Sequence, residues 1–302
     1  MVGTTCGTAA NEALAFQPSV VIPAHNEEMV ISRCLAALAT PGAIPHLDVH
    51  VICNGTTDHT GPLAERVGSE TGLRVTVHNV KEASKSAALR HSSEVVHTTP
   101  RIYLDADVEL SGDDALAIAK ALANQVDARV AGSTIDLRAN GSSRVVKAWA
   151  RAWERQAYAR SGVVGSGLYA VNKAGLERIR RFPPLLNDDA WVLSQFSDSE
   201  RMPNIGRITA YAPESLWPLV RRRARVRIGN QELAGRTPVQ PGQRTRASRN
   251  SARGVGPSGL AALALVALSA RALAAWRALV GTRAEWSTDR SSRAAATQGS
   301  GR

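Results

Sequence analysis

The chain has 302 residues, enough for one sizeable α/β domain with a tail, and its 44% hydrophobic content supports a real core. The formal charge of +11 points to an anionic partner: nucleic acid, anionic lipid or a phosphate-bearing substrate. Aromatic residues make up only 4% and offer no stacking platform, which argues against nucleic acid. Cys6, Cys34 and Cys53 are too few and too scattered for a disulfide framework or a zinc site. Cys34 and Cys53 read as core thiols, which suits a reducing cytoplasm.

Residues 1–16 have neither the basic start nor the apolar run of a signal peptide and read as a loose leader. Val20 to Ile22 form an apolar run that predicts a buried strand, ended by Pro23. Asn26 then reads as an N-cap, with Glu27 and Glu28 in the first helical turn and Ile31, Leu35 and Leu38 at helical spacing. A second strand, Val49 to Cys53, leads into the turn Asn54-Gly55-Thr56-Thr57-Asp58 and another helix. A third, Leu73 to Val77, precedes a helix carrying Lys85 and Ala87 to Arg90. The fourth runs from Arg101 through Leu104 into Asp105-Ala106-Asp107. In an extended backbone Asp105 and Asp107 share a face, and two anions held that close call for a cation between them. A hard divalent ion, Mg²⁺ or Mn²⁺, suits such oxygen ligands and keeps positions open for phosphates.

Strands alternating with helices predict an α/β fold with a mostly parallel sheet flanked by helices. Ligands of such sheets sit beyond the carboxyl ends of the strands, where every polar group just named lies. Further along come Gly165-Ser166-Gly167 and then Asn187-Asp188-Asp189, the latter leading into the apolar Trp191, Val192, Leu193 and Phe196. Arg221, Arg222, Arg223, Arg225 and Arg227 fall in one predicted helix, where Arg221 and Arg225 share a face. Residues 235–257 read as a basic flexible linker and 281–302 as a disordered tail. Between them, 258–280 predicts an Ala/Leu-rich helix broken by Arg271 and Arg277. It falls short of a membrane span and is suited to lie on a membrane or pack on the domain. His25, His59, His78, His91 and His97 show no metal-ligand spacing.

Taken in order, Val21-Ile22-Pro23-Ala24-His25-Asn26-Glu27-Glu28, Asn54 to Thr60, Lys85 to Leu89, Asp105-Ala106-Asp107, Gly165 to Ala170 and Asn187-Asp188-Asp189 resemble the family 2 glycosyltransferases of the GT-A fold. The resemblance covers roughly residues 17–230, and the expected catalytic domain is 17–234. It implies a nucleotide-diphospho-sugar donor bound by Pro23, Ala24, Asn26, Glu27, Asp58, Lys85, Asp105, Ala106 and Asp107. Glu27 would reach the ribose, and Asp58 would accept the N3–H of a uracil, which favours UDP. Asp105 and Asp107 would hold the Mg²⁺ or Mn²⁺, which neutralises charge on the departing diphosphate.

On the acceptor side the resemblance places Gly165, Ser166 and Gly167. By their chemistry Arg221 and Arg225 suit a grip on the donor diphosphate or on a phosphorylated acceptor, and equally a helix facing solvent or a membrane. The resemblance makes Asp189 the general base, with Asp188 in reserve, for an inverting transfer. The Gln-x-x-Arg-Trp motif of processive synthases is absent around Val226, which favours transfer of a single sugar. The basic C-terminal segment suggests a lipid-linked acceptor and a peripheral position at the inner membrane face.

Two rival functions compete with this one. A catalytically silent GT-A-like membrane module conflicts with the intact Asp105, Asp107 and Asp189. A sugar nucleotidyltransferase conflicts with Pro23-Ala24-His25-Asn26-Glu27-Glu28, because those enzymes carry a glycine-rich basic loop after the first strand.

Overall fold

A computed structural model describes residues 16–156, 167–236 and 255–280. The expected tail 281–302, most of the expected leader and linker, and Gly165 and Ser166 lie outside these residues. Seven strands form the main sheet in the order β3-β2-β1-β4-β8-β6-β9. They are β1 (Ser19–Ala24), β2 (Asp48–Asn54), β3 (Arg74–Val80), β4 (Arg101–Leu104), β6 (Val130–Ala131), β8 (Leu168–Val171) and β9 (Arg201–Met202). Strands β1, β2, β3 and β4 are mutually parallel; β8 runs antiparallel to both β4 and β6. A small second sheet, in the order β5-β10-β7, is built from β5 (Glu109–Leu110), β7 (Thr134–Arg138) and β10 (Arg207–Tyr211).

Every residue of β1 is buried, as a central strand covered on both faces requires. On one face Val20 and Ile22 meet α1 (Ile31–Leu38) through Ile31, Leu35 and Leu38. On the other, Val21 and Ile52 pack with Ala88 and Leu89 of α3 (Lys85–Val95). Helices α2 (Thr60–Thr71) and α4 (Gly112–Ala123) complete the layers. The fully buried Arg101 of β4 donates to the carbonyls of Ser92 and Val96 at the end of α3, fixing that helix on the sheet. Cys34 and Cys53 are buried free thiols, as expected.

After β7 come α5 (Arg144–Glu154), α6 (Lys173–Ile179) and α7 (Asp188–Ser194), then the long α8 (Leu216–Arg236) and α9 (Pro257–Val280). Helix α9 lies against α5 and α8 by a narrow stripe of Gly259, Ala262, Val266, Ala270 and Ala274. Two expectations need correction here. The 24-residue α9 is long and apolar enough to cross a membrane by length and composition, so it does not fall short. Asn26 caps no helix: α1 begins at Ile31, five residues later, with no acidic residue in its first turn.

Candidate active site

The loops after β1 and β2 are sewn together by their own side chains. Asn26, at φ 53°, accepts from the Thr57 N–H at 2.9 Å, and the Thr56 hydroxyl donates to the Ala24 carbonyl at 3.1 Å. His25 Nδ1 sits 2.7 Å from the Asn54 carbonyl. Asp58 accepts from the Glu28 N–H at 3.1 Å and the Thr60 N–H at 3.0 Å, so it fixes the start of α2 and the first loop together. Glu27 is buried at 6% exposure, and its N–H donates to the Thr60 hydroxyl. The polar groups at the ends of β1 and β2 thus form one rigid rim.

At the end of β4 the chain departs from the extended geometry expected for Asp105 and Asp107. The strand stops at Leu104, and the Val108 N–H closes a turn onto the Asp105 carbonyl at 3.1 Å. Alternation along a strand therefore does not set the relation of the two carboxylates. Arg33, ion-paired to Glu109 at 2.6 Å and stacked 4.2 Å over the Tyr211 ring, reaches the Asp107 carbonyl at 3.5 Å and steadies this turn. Gly167 packs against its other side. The Asp105 N–H donates to the Gly167 carbonyl at 2.8 Å; Gly167 has φ +95°, and a Cβ there would stand 2.6 Å from Val108. Of the expected glycine loop, Gly167 is thus placed beside Asp105.

The centre of the site is Lys85, the first residue of α3, whose helix start is capped by Ser84. Its ammonium lies 2.7 Å from Asp105 Oδ1 and 3.1 Å from Asp188 Oδ2. Burial works against its charge, but Asp105, Asp188 and Asp189 outweigh that and push its pKa well above the usual lysine value. Burial likewise opposes ionisation of Asp105; Lys85 beside it, with Arg222 and Arg225 of α8, reverses the balance and lowers its pKa.

Asp189 is the outlier. Burial first, then the neighbouring Asp188 and Asp105, raise its pKa well above the carboxylate range, with Lys85 opposing. The pocket between them is lined by Pro23, Lys85, Tyr103, Gly167, Tyr169 and the two aspartates 188 and 189, among others.

Sequence separation hides how α8 shapes this pocket. Gly229 lets α8 approach the aspartate loop, since a Cβ there would stand 2.8 Å from Asn187 Cβ. Asn187 caps α7 through the Ala190 N–H and donates from Nδ2 to Asn230 Oδ1 at 2.7 Å. The arginine helix is where it was expected, but its inward residues differ. Arg222 and Arg225 act on Asp105, whereas Arg221 is exposed and lies 6.0 Å over the outer Trp217 ring. Tyr103 and Tyr169, stacked at 4.7 Å under the pocket, carried no sequence signal beyond strand hydrophobicity.

A mostly parallel sheet with polar groups gathered beyond β1, β2 and β4, at the point where strand order reverses, has the layout of the GT-A fold. Residues 17–165, just under half of the chain, match the family described as Glycosyltransferase like family 2. No curated protein matches the chain. Among solved structures, a mannosyltransferase from Pyrobaculum calidifontis in complex with GDP-Man and Mn²⁺ is similar. The two share 17% identity over 93% of this chain and 79% of that one, with a TM-score of 0.56, a likeness of fold. A glucosyl-3-phosphoglycerate synthase from Mycobacterium tuberculosis, in complex with Mn²⁺, UDP and glucosyl-3-phosphoglycerate, shares 18% identity. It covers 78% of this chain and 86% of that one at a TM-score of 0.49.

Proposed function

We propose that this glycosyltransferase is an inverting, metal-dependent enzyme that moves a single sugar from a nucleotide diphosphate to a hydroxyl or lipid-phosphate acceptor. The observation that carries this reading is the Lys85–Asp105–Asp188–Asp189 cluster at the carboxyl end of β4. Two adjacent acids there have different surroundings. Asp188 lies beside the Lys85 ammonium, while Asp189 has a pKa displaced upward, toward the range a general base needs. Asp189 is assigned the acceptor proton, and Asp188 holds Lys85 in place.

No group of three or more His, Cys, Asp or Glu side chains stands ready for a metal among the described residues. Two carboxylates are nonetheless the usual protein share for Mg²⁺ or Mn²⁺, whose other positions go to substrate phosphates and water. Asp105 already faces one cation, the Lys85 ammonium. Asp105 and Asp107 are assigned the ion, which when bound would neutralise charge on the diphosphate leaving group. Lys85, Arg222 and Arg225 add fixed positive charge on the same side.

The acceptor half points to a membrane surface. Only 28% of the most apolar stretch of α9 is buried, and Leu260, Leu265, Leu268, Trp276 and Leu279 are exposed along it. Beside it, α8 carries five arginines within residues 221–227. An apolar helix next to a basic one suits a peripheral enzyme on anionic lipid, at the cytoplasmic face, with a lipid-phosphate acceptor.

Calorimetric titration with UDP and with GDP, each with and without Mn²⁺, tests the reading. Binding of one nucleotide that requires Mn²⁺ is expected and names the donor base. Absence of binding by either nucleotide would transfer support to a catalytically silent membrane module.

A further inference from the structure

On the far side of the sheet from α1, three histidines converge that sequence spacing did not connect. Strands β2 and β3 pair with His50 opposite Thr76 and Ile52 opposite His78. Alternation puts His50 and Ile52 on one face, and His78 shares it. That face is the one covered by α3, whose Ala88 and Leu89 pack with Ile52 and whose next turn carries His91.

We propose that His50 and His78 form a second, two-nitrogen metal site, outside the donor pocket, that takes a borderline ion such as Zn²⁺ or Ni²⁺, which His91 joins only by turning toward it. His50 Nδ1 and His78 Nε2 are 3.1 Å apart. Two imidazole nitrogens on one tetrahedral zinc, with Zn–N of about 2.0–2.1 Å, stand about 3.3 Å apart and their ring centres about 5 Å apart. The ring centres here are 5.4 Å apart for His50 and His78, and 5.8 Å for His78 and His91.

Asp48 Oδ2 lies 3.1 Å from His50 Nε2, and its charge favours the tautomer with the proton on Nε2, which leaves the Nδ1 lone pair on the side of His78. With no ion, one imidazole N–H supplies the hydrogen of that contact; an ion would sit off the N···N line, with both rings turned so that their lone pairs meet on it. His91 Nδ1 now faces Glu94 at 3.9 Å and joins by turning from it. Imidazole nitrogens favour Zn²⁺, Ni²⁺ and Cu²⁺ over Mg²⁺ and Mn²⁺, which keeps this site chemically apart from Asp105 and Asp107. Because α3 starts at Lys85, an ion held through His91 clips to the sheet the helix that carries that lysine.

The test uses the full chain carrying Asp105→Asn and Asp107→Asn, which removes the nucleotide-site carboxylates. Titration with Zn²⁺ or Ni²⁺ is expected to show one equivalent bound and a rise in Tm, and His78→Gln is expected to weaken binding by about tenfold or more. Equal affinity in His78→Gln, or no ion bound by the parent, would overturn the site. Should His78→Gln fail to fold, Cu²⁺ electron paramagnetic resonance on the parent decides. Nitrogen hyperfine splitting from imidazole supports the site, and an oxygen-only spectrum removes it.

Discussion

The donor half, up to residue 165, and the half that follows it solve different problems with different materials. The donor half gathers loops at the ends of parallel strands, and short-range hydrogen bonds such as Thr57 to Asn26 and Glu28 to Asp58 make it stiff. The second half places one reactive pair, Asp188 and Asp189, and braces it from a helix more than forty residues away, through Asn187 and Asn230. It then leaves an apolar helix face outward. On the proposed assignment of roles, donor chemistry is encoded locally, as motifs, while acceptor chemistry is encoded by packing. The family match ends at the same divide.

The sharpest way to break that comparison is in the donor half. Asp105→Asn and Asp107→Asn are each expected to lower Mn²⁺-dependent nucleotide affinity by at least about 100-fold, since even outer-shell partners of a metal cost about 10–100-fold. Calorimetry reads this directly, and an unchanged dependence on Mn²⁺ would remove the metal assignment. Next in size, Lys85→Met leaves three carboxylates without their cation. It is expected to cost about 3 kcal/mol of stability at pH 7 in denaturant melts. A midpoint equal to that of the parent would show that Lys85 does not tie the two halves together.

A smaller effect belongs to the second half alone. Trp276→Glu, at a half-exposed position on α9, is expected to reduce partitioning onto anionic vesicles by about tenfold, with stability within about 0.5 kcal/mol of the parent. Co-sedimentation that does not change would mean the outward face of α9 meets something other than lipid.

The smallest effect is a pH signature of Asp189. Its folded pKa lies above the unfolded value, so its ionisation opposes folding once the pH exceeds the unfolded value of about 4. Asp189→Asn should therefore melt higher than the parent at pH 7, and the gap should close below about pH 4. A gap that persists in acid would assign the stabilisation to packing instead.

Much of the donor half was legible because its signals are periodic or local. The apolar runs at Val20, Val49 and Ile102 became β1, β2 and β4, and Asp105 stands at the end of the last. The misreadings there come from turn geometry that sequence does not record. Asn26 adopts a left-handed conformation and bonds to the neighbouring loop instead of capping a helix, and Asp105-Ala106-Asp107 bends rather than extending. In the other half, Asn187-Asp188-Asp189 was visible as a helix start, but its link to Lys85 was not, because a separation of 103 positions between 85 and 188 leaves no spacing to read. The inward face of α8 turns on a few tens of degrees of helix rotation, which exchanged Arg221 for Arg222. His50, His78 and His91 meet only through strand register.

The central claim is that one carboxylate, Asp189, takes the acceptor proton while the donor is held elsewhere. The most direct test measures donor binding and turnover together in Asp189→Asn, following by NMR the slow hydrolysis of UDP-glucose or GDP-mannose, whichever base the parent binds, with Mn²⁺ present. Nucleotide affinity equal to that of the parent is expected, with turnover lower by about 100-fold or more and the parent releasing sugar of inverted configuration. Full turnover in Asp189→Asn, or retained configuration from the parent, would contradict the account.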